Sequence, residues 1–156
     1  MVAAQKPVSR ASTTEAVADG IVLAATLWYA LALGWCLFAR VGAGHDALTG
    51  SRGMMAENML HWHIIGPVRE YTIGKPEVDQ FYSHHPYGTY WVITAFSALL
   101  GRHAYVPRLV SLLMSVACPP MLHGIGRKLW GAPYGALCAA GYVVLPMTLA
   151  FGTMTK

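Results

Sequence analysis

Hydrophobic residues along this chain are gathered into four long blocks rather than recurring at the spacing of an amphipathic helix or strand. The blocks cover residues 21–39, 87–100, 106–125 and 132–151. At a rise of about 1.5 Å per residue, a helix over the first block extends about 28 Å, close to the hydrocarbon core of a bilayer. The pattern predicts an all-α integral membrane protein with about four transmembrane helices, preceded by a polar tail at residues 1–19.

Each block carries a feature that refines this prediction. A signal peptide is the competing interpretation of the first block, but the block is too long and a polar, charged stretch precedes it. The second block is short, and it spans the core only if Tyr87, Tyr90 and Trp91 anchor it in the interface. In the third block, Cys118-Pro119-Pro120 predicts a kink or break, because proline lacks an amide hydrogen. Small residues in the first half of the fourth block favour close helix packing.

The polar stretch between the first two blocks, residues 41–86, holds five of the seven carboxylates and five of the seven histidines. Within it, residues 51–62 show a helical pattern. Met55, Met59 and Trp62 fall on one stripe, and Glu57 falls on the other side. We expect a juxtamembrane amphipathic helix here, lying in the membrane interface.

Composition supports the membrane class. Hydrophobic residues make up 55% of the 156 residues and charged residues 12%, against about a quarter in soluble domains. The formal charge of +4 comes without a basic stripe interleaved with aromatics, so no nucleic-acid partner is expected. The spacings of Cys36, Cys118 and Cys138 suit neither a zinc cluster nor a disulfide framework, and we interpret these residues as small buried apolar side chains. Basic residues count almost equally on the two sides of a four-span arrangement, so they do not assign its orientation.

Three interpretations of the ionisable residues remain open. Asp46 follows a glycine-rich exit from the first block, and it is either a general base at the membrane surface or a solvated loop carboxylate. Alternatively, four histidines converge with it on a divalent metal ion (His61, His63, His84, His85). The first two histidines, at i and i+2, point to different faces of a helix, which weakens the metal hypothesis. The third interpretation is a small multi-pass membrane protein without catalytic activity.

Several short sequences follow one another in a particular order. They are Ala56-Glu57-Asn58-Met59-Leu60, His85-Pro86-Tyr87-Gly88-Thr89-Tyr90-Trp91, Leu99-Leu100-Gly101, Pro107-Arg108-Leu109 and Arg127-Lys128-Leu129-Trp130-Gly131. Over about residues 20–152 this order resembles the membrane-embedded GT-C glycosyltransferases, as in the protein O-mannosyltransferases (glycosyltransferase family 39-like) and the aminoarabinose transferases of lipid A. The chain has Tyr87 where the family's His-Pro-Pro motif has its second proline, and Asp46-Ala47 where the family has an Asp-Glu pair.

The resemblance implies transfer of a sugar from a polyprenyl-phosphate donor to an extracytoplasmic acceptor, in or near membrane lipids, with Asp46 as the catalytic base. It also implies donor or acceptor binding by other polar residues (Glu57, His84, His85, Arg108). No cofactor is expected, with a divalent metal ion as the open alternative. The implied location is the bacterial inner membrane, with a cytoplasmic N-terminus and residues 41–86 outside. Because such enzymes usually have eight or more membrane helices, we expect this chain to be an N-terminal portion, truncated at residues 153–156 and inactive alone.

Overall fold

The computed structural model describes residues 13–38, 45–68, 81–82 and 87–152, and this part of the chain forms six helices and no strand. The helices are α1 (Thr13–Gly34), α2 (His45–Trp62), α3 (Gly88–Leu100), α4 (Tyr105–Trp130), α5 (Ala132–Val144) and α6 (Pro146–Phe151). The all-helical prediction is confirmed for the described residues. An isolated bridge between Val68 and Phe81 connects the irregular segments that follow α2 and precede α3.

Helices α1 and α4 pack side by side in opposite directions. Just after α1, the carbonyl oxygens of Cys36 and Leu37 accept hydrogen bonds from Nη1 of Arg108, near the start of α4, at 3.4 and 3.5 Å. At the other end of the pair, Asp19 of α1 lies 2.9 Å from His123 in the last third of α4. We call the end that holds Arg108 the loop end and the end that holds Asp19 the tail end.

Helix α5 returns along the same pair, antiparallel to α4 and parallel to α1. At the tail end, Ala18 packs with Ala132 and Ala136, and farther along, Tyr29 packs with Val143. The contact with α4 is close enough to require glycine, since a Cβ atom on Gly126 would lie 2.7 Å from the Cα atom of Gly135. The predicted packing role of the small residues in this block is therefore confirmed, and these residues draw α5 against both neighbours.

The prolines interrupt the helices at different places from those that the sequence predicted. The single helix predicted over residues 132–151 is wrong, because Leu145 is extended (φ −65°, ψ 129°) and separates α5 from α6. The physical reason is Pro146, whose ring disfavours helical geometry in the residue before it. Conversely, α4 continues through Pro119 and Pro120 without the predicted break, and Pro119 is fully buried. Helix α1 also begins at Thr13, inside the predicted polar tail.

Helices α2 and α3 pack on each other and on α4 at the loop end. Met55 and Met59 are buried against Tyr90, while Ala56 is buried with Ile93 and Val110. The apolar stripe predicted on residues 51–62 therefore exists, and it faces α3. Helix α2 ends at Trp62, as the sequence pattern predicted, but it begins at His45, six residues before the predicted start at Ser51.

The residue after α2 explains why the helix ends at Trp62. His63 has a positive φ of 53°, and the amide of Ile64 donates to the carbonyl of Met59 at 3.1 Å. This is the hydrogen-bond pattern of a Schellman motif, in which a left-handed residue closes the helix. One of the histidines of the metal hypothesis thus has a conformational role at the helix terminus.

Within the described ranges, two helices, α1 and α4, are long and apolar enough to cross a membrane, and only 22% of the most apolar stretch of each is buried. Large apolar side chains on both are exposed, for example Leu31 at 77% and Met121 at 63%. A soluble core helix would bury such residues, so these surfaces indicate association with a membrane. Cys36 and Cys138 are likewise exposed, so their predicted burial is wrong.

Four transmembrane helices are not confirmed. If α1, α3 and α4 were successive crossings, their directions would alternate, and α1 and α4 would be parallel. They are antiparallel, and the chain between them leaves and returns at the loop end. In addition, α3 has 13 residues, so its length of about 20 Å is short of a hydrocarbon core of about 30 Å.

Candidate functional site

The loop end holds two buried arginines, one on α2 and one on α4. Arg52 lies on α2 at the spacing i, i+3, i+7 with Met55 and Met59, so it shares the helix face that packs on α3. Its exposure is only 6%, and that of Arg108 on α4 is 3%. Their chain neighbours touch, because a Cβ atom on Gly53 would lie 2.9 Å from the ring of Pro107. We call the corner between α2, α3 and α4 that holds these two residues the arginine corner.

The two arginines differ in their partners. Arg108 donates to the carbonyl oxygens of Cys36 and Leu37, where the orphan carbonyls after α1 attract a cation. Arg52 lies beside the Tyr90 hydroxyl and interacts with it electrostatically, but its Nη1 atom is buried without a hydrogen-bond partner in the described part of the chain. An arginine side chain stays protonated in a protein, so this is a buried donor on a permanent charge.

The sequence-predicted site residues are placed as follows. Asp46 lies in the first turn of α2, and its side chain is outside the described residues. His84 and His85 also lie outside them. Glu57 is half-buried in the middle of α2. The structure thus brings Asp46, by its backbone, and Arg108 to the same end of the molecule, and it leaves their predicted roles as predictions.

An open apolar groove of about 560 Å³ runs between α3 and the C-terminal part of α2. The indole of Trp91 donates to the carbonyl oxygen of Ile65 at 2.8 Å, which fixes the ring against the segment after α2. The lining is almost entirely hydrophobic: Met59, Leu60, Ile64, Ile65, Trp91, Thr94, Ala95 and Ala98. Its shape and chemistry suit a hydrocarbon chain.

A second polar cluster, at the tail end, joins α1 to α4. The Asp19 carboxylate lies 2.9 Å from Nε2 of His123, and it accepts a hydrogen bond from Arg127 at 3.1 Å. Arg127 also reaches Glu15 at 3.3 Å. The Nδ1 atom of His123 points toward the backbone of Gly135, where a Cβ atom would approach it to 2.8 Å. These contacts make the cluster a tie between helices.

Sequence reasoning missed both Arg52 and the tail-end cluster. Arg52 was recognisable as a basic residue in register with Met55 and Met59, which is an unusual position on an apolar face. The pairing of Asp19 with His123 and Arg127 had no local signal, because more than 100 positions separate them along the chain.

Comparisons with known proteins identify no family for this chain. No protein-family model, curated protein or solved structure matches this chain. Among the described residues, no group of three or more histidine, cysteine or carboxylate side chains is placed to hold a metal ion. The metal hypothesis draws on Asp46, His84 and His85, whose side chains lie outside those residues, so it stays a hypothesis.

Proposed function

We propose that this chain forms the N-terminal membrane part of a GT-C-like glycosyltransferase, which transfers a sugar from a polyprenyl-phosphate donor to an extracytoplasmic acceptor. The proposal starts from the resemblance in the order of short sequence features over residues 20–152. The observation that carries it is the arrangement at the loop end. There, α2 begins with His45-Asp46 and packs against α3 beside two buried arginines.

This arrangement suits the chemistry of sugar transfer from a lipid phosphate. The reaction needs a base to take the acceptor proton and cationic or hydrogen-bonding groups to stabilise the phosphate that leaves. Asp46 is the proposed base. It lies six residues before Arg52, about 9 Å along the axis of α2. His84 and His85 are proposed to bind donor or acceptor, whereas Glu57 is proposed to contribute little.

Helix directions suggest a specific membrane arrangement. We propose that α1 crosses outward, α4 crosses inward and α5–α6 crosses outward, with the N-terminus in the cytoplasm. The combined length of α5 and α6 matches α1, since α5 starts beside Ala18 and α6 ends near Tyr29, whose hydroxyl donates to the carbonyl of Thr148 at 2.9 Å. In this arrangement α2 and α3 stay on the extracytoplasmic side, where a lipid-linked donor is presented in the resembled family.

The test is a pair of matched carboxylate substitutions on α2. In membranes from cells expressing the gene that encodes this chain, Asp46→Asn should lower sugar transfer from a polyprenyl-phosphate donor by about 10²–10⁴-fold, the usual contribution of a general base. Glu57→Gln should retain most of the activity. Transfer is measured as the release of radiolabelled sugar from the lipid, with protein amount checked by immunoblot.

Two outcomes would contradict the proposal. Near-normal transfer by Asp46→Asn with loss in Glu57→Gln would assign the base to the middle of α2. No transfer above that of membranes lacking the gene, for any polyprenyl-phosphate sugar, would instead favour a membrane protein without catalytic activity.

A further inference from the structure

We infer that the groove between α3 and the C-terminal part of α2 faces lipid, and that it rests in the hydrocarbon of the leaflet at the loop end. Its partner is the bulk lipid of the membrane, and no particular lipid is selected. Contact of this kind does not require sugar transfer, so it holds or fails separately from the proposed function.

The methionine stripe of α2, which a helix in the membrane interface would turn toward lipid, is covered by protein. Met55 and Met59 are both buried against Tyr90 of α3. If α2 and α3 contact the membrane, a different surface therefore makes the contact. The groove provides one, because large apolar side chains in its lining remain exposed, with Ile65 at 77% and Trp91 at 50%.

The polar groups of the groove are already paired within the chain. Of the eight described residues that line it, only Trp91 and Thr94 carry a side-chain hydrogen-bond donor. The Trp91 indole donates to the carbonyl oxygen of Ile65 at 2.8 Å, and this carbonyl lies outside any helix. The Thr94 hydroxyl donates to Sδ of Met59 at 3.5 Å. Hydrocarbon offers no hydrogen-bond partner, so a surface in contact with it must satisfy its donors internally, as this one does.

The level of α2 and α3 along α4 matches the edge of a bilayer core. Arg108 and Arg127 are costly to place in hydrocarbon, so they mark the two ends of the apolar part of α4. They are 19 positions apart, or about 28 Å along the helix, against a core of about 30 Å. Ala56 of α2 and Ile93 of α3 are buried with Val110, within a turn of Arg108. Both helices therefore meet α4 where the hydrocarbon ends.

Apolar exposure continues from the groove along the chain. Leu99, directly after the lining residue Ala98, is 83% exposed. Four residues later α4 begins, which is one of the two described helices apolar enough to cross a membrane. A surface that leads into such a helix at the edge of the core is placed to meet lipid. Coverage by protein, whether a second copy or another chain, is a separate outcome of the test.

The experiment is spin labelling of the full 156-residue chain in vesicles of phosphatidylcholine and phosphatidylglycerol. In a background without the native cysteines, single cysteines at Ala95 and Ala98 place a label in the groove. A cysteine at His61, which is exposed on α2 and does not line the groove, is the matched control. Each label is tested for collision with oxygen, which concentrates in hydrocarbon, and with a nickel chelate, which stays in water. We expect the groove labels to collide mainly with oxygen and the control label mainly with nickel.

Depth distinguishes a surface contact from a membrane crossing. The ratio of the two collision rates, calibrated with labelled lipids, gives the depth of each label. A helix that lies in the interface buries its apolar face by about 5–10 Å, and we expect the groove labels at this depth. Ala95 lies in the middle of α3, so a crossing helix would place its label at the centre of the core, about 15 Å deep. That result would overturn the inference.

Two other results would also overturn it. Nickel collision as frequent at Ala98 as at His61 would place the groove in water. Exclusion of both oxygen and nickel would mean that protein covers the groove. Circular dichroism checks that each labelled variant keeps its helix content, and Leu99, whose side chain is largely exposed, provides a third label position that disturbs little packing.

Discussion

The contact between α4 and α5 depends on two glycines, and replacing one of them should separate the helices. A Cβ atom on Gly126 would lie 2.7 Å from the Cα atom of Gly135, against about 3.5–4.0 Å for an ordinary carbon contact. The reverse substitution is tighter still, because a Cβ atom on Gly135 would lie 2.5 Å from the carbonyl oxygen of His123. In both cases the obstacle is backbone, which cannot rotate aside. The helices therefore have to move apart by about 1 Å.

Gly124 provides a control on the same helix. A Cβ atom there meets nothing within 4 Å. Both Gly124→Ala and Gly126→Ala gain the same helix propensity, about 0.5–1 kcal/mol, so the difference between them isolates the steric cost. Overpacking of this kind typically costs about 1–3 kcal/mol, and we expect Gly126→Ala to be less stable than Gly124→Ala by that amount.

The assay is unfolding in mixed micelles, followed by circular dichroism as a denaturing detergent is titrated into a mild one. The free energy of unfolding is extracted for the wild type, Gly124→Ala, Gly126→Ala and Gly135→Ala. We expect the last to be the least stable. Equal stabilities of Gly124→Ala and Gly126→Ala would refute the reasoning, because they would show that α4 and α5 do not approach at Gly126.

Two further predictions test the helix directions and the tail-end tie. For the first test, single cysteines are placed at Ser83, His103 and Ser12 in a background without the native cysteines. Those at Ser83 and His103 should react with an impermeant thiol reagent on whole cells, whereas the one at Ser12 should not. If only one of the first two reacted, α3 would have to cross the membrane. In a double-mutant cycle, Asp19→Asn and Arg127→Gln should couple by about 0.2–1 kcal/mol, as half-exposed ion pairs do, and independent effects on unfolding would mean that the pair is not formed.

Local sequence patterns determined most of the secondary structure. The apolar blocks became helices, with α3 beginning at Gly88 and α4 at Tyr105, each within a residue of its predicted start. The stripe of Met55 and Met59 correctly marked the packed face of α2, because side-chain direction along a helix follows from its 3.6-residue period. Patterns of this kind depend on neighbours within a few turns, and the chain itself supplies those neighbours.

The ends and interruptions of the helices were harder to predict from the sequence. Two adjacent prolines inside α4 looked like a break, yet Pro119 is buried within a continuous helix, whereas Pro146 alone separates α5 from α6. Proline removes one hydrogen bond wherever it stands. Whether the helix continues depends on the packing on either side, and this packing comes from other helices.

The candidate site was likewise only partly predictable from the sequence. Composition and the order of motifs directed attention to the polar stretch and to Asp46, but they gave no reason to select Arg52, which is noteworthy only because α3 and α4 bury it. The antiparallel arrangement of α1 and α4 also had no sequence signal, because the hydrophobicity of a block does not depend on the direction in which it crosses the membrane. The sequence alone determined which segments are helical and apolar; only the tertiary structure decided their directions and which charges they enclose, because both depend on contacts between residues far apart in the chain.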